Sequence, residues 1–132
     1  MIMASKRKIQ LATILCCVSG LASAEWTYYA DGNVPFEYKA YIDKDSIVRE
    51  GDKVTAWILS DNKKKSPFDG TMSNKTLQLF DCKNETQYLK HVFVTDGHMG
   101  EGKVIFDDYV KNVPEKILPN SVPAITFKLL CR

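Results

Sequence analysis

The chain has 132 residues, 45% of them hydrophobic and 26% charged, with a formal net charge of +2. There are no internal repeats or low-complexity tracts, and the size is that of one domain. Lys6, Arg7 and Lys8 precede every acid, so the remaining residues carry 15 basic against 16 acidic side chains, a net −1 that argues against a phosphate-neutralising nucleic-acid binder.

The first predicted element is a leader. Its basic head, Lys6 to Lys8, is followed by an uncharged run from Ile9 to Leu21 holding Leu11, Ile14, Leu15, Val18 and Leu21. Ala22-Ser23-Ala24 then gives a small-x-small site before Glu25-Trp26. This layout predicts a cleavable secretory signal over residues 1–24, cut between Ala24 and Glu25. The apolar run is shorter than the roughly 20 residues a membrane span needs, an uncleaved anchor helix being the alternative. Cys16 follows Leu15, Cys17 follows Cys16, and the run continues to Leu21. Neither cysteine has a lipid-attachment context, and both read as part of the leader. Removing 24 of the 132 residues leaves 108, a single exported domain over 25–132, in the periplasm or at the cell surface. That length supports a core yet gains from a covalent staple. Only Cys82 and Cys131 remain, and in an exported chain an even pair is expected to oxidise to a structural disulfide. Closing that long loop is worth roughly 4 kcal/mol. Free thiols are the alternative; a thiolate metal site needs more ligands, and a catalytic dithiol usually has C-x-x-C spacing.

Trp26 to Ala30 is the first strand candidate, and Asp31-Gly32-Asn33 turns the chain. Phe36, Tyr38, Ala40 and Ile42 alternate with Glu37, Lys39 and Tyr41, the period of a half-buried strand. Asp43 to Asp45 is a turn, Ser46 to Arg49 is extended, and Glu50-Gly51-Asp52 is a hairpin turn. Lys53 to Leu59 is apolar on both faces, Val54/Ala56/Ile58 and Thr55/Trp57/Leu59, so it is expected at the sheet centre. Asn62 to Pro67 is a basic loop. Asn74 to Cys82 and Gln87 to Val94 are strands around a Lys83-Asn84-Glu85 turn. A glycine-rich loop over 96–103 leads into a strand from Val104 to Phe106. The period then changes: Asn120 or Ser121 caps a helix with Pro123 in its first turn. Val122, Ile125 and Leu129 share one face, with Thr126 and Leu130 extending it. The expectation is a β-rich α+β domain: an antiparallel sheet of about five to six strands, a C-terminal helix packed on it, and one disulfide pinning helix to sheet.

No catalytic set emerges. Gly97 to Lys103 matches G-x-x-x-x-G-K, but Val104 follows where a phosphate loop needs Ser or Thr, and a strand follows where it needs a helix. Asp96, His98 and Glu101 are the weak metal candidates, two carboxylates and an imidazole in one loop. His91 falls in a strand with Leu89 and Phe93 on its face and reads as a satisfied histidine. Ser46 with His91 lacks any nucleophile elbow, while Asp107-Asp108 and Asp43/Asp45 read as solvated acids in turns. The chain is expected to be non-enzymatic and without cofactor. Lys63, Lys64 and Lys65 form a local basic patch, a candidate contact for anionic headgroups, glycans or an acidic partner. Asn74-Lys75-Thr76 and Asn84-Glu85-Thr86 match the glycosylation sequon by chance. Trp57 and Phe80 are expected in the core, with Tyr28, Tyr29, Tyr41 and Tyr109 nearer the surface. An exposed sheet edge makes a homodimer a further expectation.

Taken in order, Trp26, Tyr41-Ile42-Asp43-Lys44-Asp45-Ser46-Ile47, Val54-Thr55-Ala56-Trp57, Ser73-Asn74-Lys75-Thr76, Phe80-Asp81-Cys82, the glycine loop, Pro119-Asn120-Ser121 and Cys131 resemble the surface-adhesin protein E-like domain family of Gram-negative envelope proteins. The resemblance spans Trp26 to Cys131. It implies a sheet with a helix packed on it, stapled by Cys82 and Cys131, and marks Trp26, Asp43, Ser46, Ile47, Trp57 and Ser121 as structural positions. It also implies an adhesin-like binding domain in the cell envelope, contacting host extracellular or envelope proteins. A soluble periplasmic accessory domain binding a small ligand or envelope partner is the alternative, and a metal-dependent enzyme using the 96–103 loop is the remote one.

Overall fold

Alternating apolar residues and Gly- or Asn-bearing turns build a succession of strands in this computed structural model, which describes residues 24–110 and 113–132. The expected leader lies outside the described residues except for Ala24, which with Glu25 is exposed ahead of the first strand. The strands are β1 (Trp26–Gly32), β2 (Tyr38–Asp43), β3 (Val48–Glu50), β4 (Lys53–Asn62), β5 (Ser73–Asp81), β6 (Thr86–Thr95), β7 (Val104–Tyr109) and β8 (Glu115–Lys116), followed by a helix, α1 (Val122–Leu130). Every pairing is antiparallel; the order is β1-β2-β4-β5-β6-β7, with β3 added to β4 and β8 to β6. The six-strand path agrees with expectation, and the two short ribbons extend it.

The sheet has an inner and an outer face. On the inner face Ile42, Val54, Ala56, Ile58 and Phe80 meet Leu130 of α1 in the core. Each large apolar side chain so enclosed contributes about 1.5–3 kcal/mol. The opposite set on β4 is Thr55, Trp57 and Leu59. Trp57, expected in the core, is therefore half-buried on the outer face: strand alternation places it one residue out of step with Ala56 and Ile58.

Helix α1 starts at Ser121, whose hydroxyl accepts from the Ala124 amide at 3.3 Å. At its other end the Cys131 amide donates to the Phe127 carbonyl at 2.7 Å, and the Arg49 guanidinium donates to the Leu130 carbonyl. The Cys82–Cys131 disulfide has its Cα atoms 5.5 Å apart and fastens that end to the end of β5. The seam departs from the expected face at Ile125, while Leu129 packs against the core and Thr126 and Leu130 lie where expected. Ile125 is exposed, whereas Thr126 and Leu130 are buried. Two ties set this rotation: the Tyr29 hydroxyl lies 2.7 Å from Thr126 Oγ1, and the disulfide holds the position after Leu130.

Other boundaries move for local reasons. β2 begins at Tyr38, leaving Phe36 in an exposed loop. A register shift between the Leu77 and Gln78 pairs inserts Lys90 as a bulge, so Leu89 pairs with Gln78 on the inner face while His91 stays on the outer one. Asp107 and Asp108, expected in a turn, belong to β7, which runs to Tyr109.

Candidate functional site

Cross-strand register assembles two rows on the outer face, away from α1. One runs Tyr28, Tyr41, Leu59, Lys75, Phe93, Asp107 across β1, β2, β4, β5, β6 and β7. Beside it run Trp57, Leu77, His91 and Tyr109. Opposed residues on one face lie within side-chain contact, and the rings do meet. His91 stacks on Tyr109 at 4.0 Å between centroids and on Phe93 at 4.3 Å, with Trp57 5.9 Å from both His91 and Phe93. Lys75 Nζ lies over Phe93 at 5.4 Å. At the far side Tyr28 and Tyr41 meet edge to face at 5.9 Å, and Lys39 caps Tyr28 at 5.0 Å.

His91 is the polar centre of this cluster. It is 7% exposed, and its Nε2 lies 2.7 Å from Asp107 Oδ1. The pair adds a side-chain tie to the five-pair ladder that joins β6 to β7. All six β7 residues are exposed, Tyr109 at 78%, and among the described residues β7 has a strand on one side only. Its backbone presents donors and acceptors to solvent, beside Val104, Ile105 and Phe106.

The motif residues of the Asp43–Ile47 segment have structural tasks. Asp43 Oδ1 accepts from the Asp45 amide at 3.1 Å and caps the Lys44–Ser46 turn. The Ser46 hydroxyl donates to the Asp43 carbonyl at 2.6 Å and accepts from the Trp57 amide at 2.9 Å, locking that turn to β4. Ile47 packs against the core, and Trp26 pairs with Asp43. Ser46 and His91 thus have different partners and form no nucleophile–base pair.

The glycine loop joins β6 to β7 as a hairpin. Asp96 Oδ1 accepts from the Lys103 amide at 2.7 Å, and Gly97 N–H donates to the Glu101 carbonyl at 3.1 Å. Gly100 and Gly102 have φ of +75° and +88°, and a Cβ on Gly102 would stand 2.5 Å from Asp96 Oδ1. The glycines therefore close a tight turn, which is a sufficient reason for their spacing. The weak metal candidates face different partners: Asp96 the Lys103 amide, His98 Nδ1 Asp61 at 3.0 Å, and Glu101 solvent. Among the described residues no three His, Cys, Asp or Glu side chains are grouped as metal ligands.

An open cleft of about 840 Å³ lies at this end of the sheet, lined by residues including Asp31, Lys39, Asp61, Lys63 and His98. Its charges are largely paired: Lys39 with Asp31 at 3.3 Å, Lys63 with Glu37 at 3.5 Å, and His98 with Asp61. Lys63 lines this cleft, and Lys64 and Lys65, which follow it in the loop, are exposed. Phe93 shares the His91 face as expected, whereas Leu89 turns inward; the contacts not legible in the sequence are those of Phe93 with Trp57 and of Asp107 with His91. The signal that could have found them is the apolar second face of β4, Trp57 and Leu59, which requires partners on both neighbouring strands.

Comparison with known proteins gives one family and a set of folds. The profile described as surface-adhesin protein E matches residues 23–132. Two solved structures of protein E from Haemophilus influenzae, crystal form II and a selenomethionine form, superpose with TM-scores of 0.61 and 0.59, each at 16% identity. The first covers 86% of this chain and 94% of its own; the second covers 83% and 88%. At that identity the likeness is one of fold. No curated protein matches the chain significantly.

Proposed function

Because the chain belongs to the surface-adhesin protein E family, we propose that it is an exported, non-enzymatic binding domain of the cell envelope, holding a protein partner along β7 and the adjoining aromatic rows. The observation that carries this reading is the character of β7: an edge strand exposed along its whole length, bearing Val104, Ile105, Phe106 and Tyr109. An extended segment of a partner adds to such an edge through main-chain hydrogen bonds, and side chains on alternate positions give selectivity. Tyr109 and the half-buried Trp57 and Phe93 supply rigid aromatic contact area beside that edge. The partner is a host extracellular protein or another envelope protein, and a second copy pairing edge to edge gives a homodimer by the same chemistry. The leader over residues 1–24 takes the chain across the inner membrane, and the exposed Ala24–Glu25 bond ahead of β1 is accessible to a peptidase.

Protease shaving of intact cells expressing the full chain, read by mass spectrometry, tests the location. Peptides of the domain released while the outer membrane is intact support adhesion. Protection until that membrane is opened rejects host contact. A turnover activity lost on replacing His91 or His98 would overturn the non-enzymatic part. The cleft beside His98 supports a second reading, a periplasmic accessory domain taking a small polar ligand between Lys39, Lys63 and His98; saturable binding lost in Lys39→Ala and His98→Ala would favour it.

A further inference from the structure

Two loops meet at one end of the sheet. The β1–β2 connection presents Val34, Pro35 and Phe36, and the β4–β5 connection presents Lys63, Lys64, Lys65, Pro67 and Phe68, all of them exposed. Phe68, at 86%, is the most exposed large apolar side chain among the described residues, and Val34 is 78% exposed. The loops are held as one unit: Phe36 and Phe68 stack at 6.4 Å with 25° between planes, and the Lys63 amide donates to the Glu37 carbonyl at 2.9 Å. Their positions are fixed from below, since the Asn62 amide donates to Met72 O, and the Ser66 amide to Thr71 O, both at 2.8 Å. The nearby acids are engaged locally. Glu37 pairs with Lys63, and Asp69 Oδ1 accepts from the Thr71 amide at 3.0 Å. Lys64 and Lys65 outnumber the one remaining carboxylate, Asp69, so the tip keeps a net positive charge.

We propose that this tip docks the protein on the surface of an anionic phospholipid bilayer, with Phe36 and Phe68 entering the headgroup–acyl boundary and Lys64 and Lys65 facing the phosphates. An exposed apolar wedge with lysines in the same loop has the chemistry that interfacial membrane segments use. A polyanion would satisfy the lysines but leave the two rings in water, whereas a bilayer satisfies both. Lysine ammonium groups ride on flexible stems, which lets them stay at headgroup level while the rings enter the boundary. Each lysine near an anionic surface changes the partition coefficient by roughly fivefold.

The test uses the exported protein recovered from expressing cells, its N-terminus read by mass spectrometry, sedimented with phosphatidylcholine vesicles that contain or lack phosphatidylglycerol. Binding to the anionic vesicles is expected, weakening as salt is raised. Lys64→Gln with Lys65→Gln should lower it about 25-fold, and Phe68→Ser should lower it further without changing the circular-dichroism spectrum. Phe68→Trp should shift its fluorescence to the blue on anionic vesicles alone. Equal sedimentation with both vesicle types, or anionic-vesicle binding indifferent to these substitutions, overturns the proposal. So does a stronger interaction with polyglutamate that survives Phe68→Ser, which would assign the patch to acidic polymers.

Discussion

Tyr29 joins β1 to α1, and burial is the main cause that raises its phenol from an ordinary 10 to about 12, the Thr126 hydroxyl partly opposing. Because the folded state holds this proton more tightly than the unfolded chain, the associated stability is complete below pH 10 and is lost as pH rises toward 12. The loss amounts to at most about 2–3 kcal/mol. Tyr29→Phe should cost about 1 kcal/mol at neutral pH, since Thr126 Oγ1 keeps its bond to the Val122 carbonyl. It should also flatten the alkaline decline. Urea midpoints of both proteins on either side of pH 10 decide this, and parallel declines would reject the assignment. Asp81 behaves oppositely. The Asn84 amide first, then the Asn84 side chain and the Lys83 amide, hold its carboxyl below the ordinary 3.8. Its contribution is present above that value and fades as pH falls through the lowered one. Asp81→Asn should melt earlier than wild type at neutral pH, and the gap should close in acid.

Among the elements, the β6–β7 hairpin and α1 are held by different means. The hairpin depends on backbone conformations that glycine adopts freely. Gly102→Ala would place a methyl group 2.5 Å from Asp96 Oδ1 and 2.9 Å from the Gly97 nitrogen at φ +88°, a cost of about 1–3 kcal/mol. Thermal unfolding should register that loss, and amide exchange should rise first in β7, which has one neighbour among the described strands. By contrast, α1 is short for an isolated helix and depends on Ser121, Arg49 and the disulfide. Replacing Cys82 and Cys131 together by Ser should cost about 2–5 kcal/mol, read from denaturant midpoints. This is also the level at which the fold was most legible. Gly51, the Lys83–Glu85 turn and Pro123 announce boundaries through chemistry that acts over two or three residues. The seam of α1 was legible at Thr126 and Leu130 but not at Ile125, because Ile125 and Thr126 differ little in helical spacing and the choice between them is made by Tyr29, 97 residues away. Lys90 was equally hidden: a bulge reverses alternation without changing composition.

At the scale of the whole molecule, β4 explains both halves of the architecture. Its apolar inner face builds the core with α1, and its apolar outer face requires the rows that end at Tyr109. The core was therefore readable from periodicity, while the outer cluster needed the register of strands far apart in sequence, and the loop tip needed the contact between Phe36 and Phe68. The β7 edge and that tip are separated by the sheet itself. The tip stands over the β2–β4 end, three to four strand spacings from β7, or about 15–19 Å. A protein docked through Phe68 should keep its edge free, so the two surfaces should act independently. Ile105→Lys places a charge on the exposed edge, a device that blocks strand addition. It should abolish partner capture and any edge-to-edge dimer while leaving vesicle binding unchanged. Phe68→Ser should do the reverse. Because the sites share no contacts, the double variant should show both losses at their separate magnitudes, additive within about 0.5 kcal/mol. Sedimentation with anionic vesicles and size-exclusion or pull-down measurements on the four proteins complete the cycle. A coupling larger than that would mean that bilayer and partner compete for one surface, and the edge could then no longer be assigned to the partner alone.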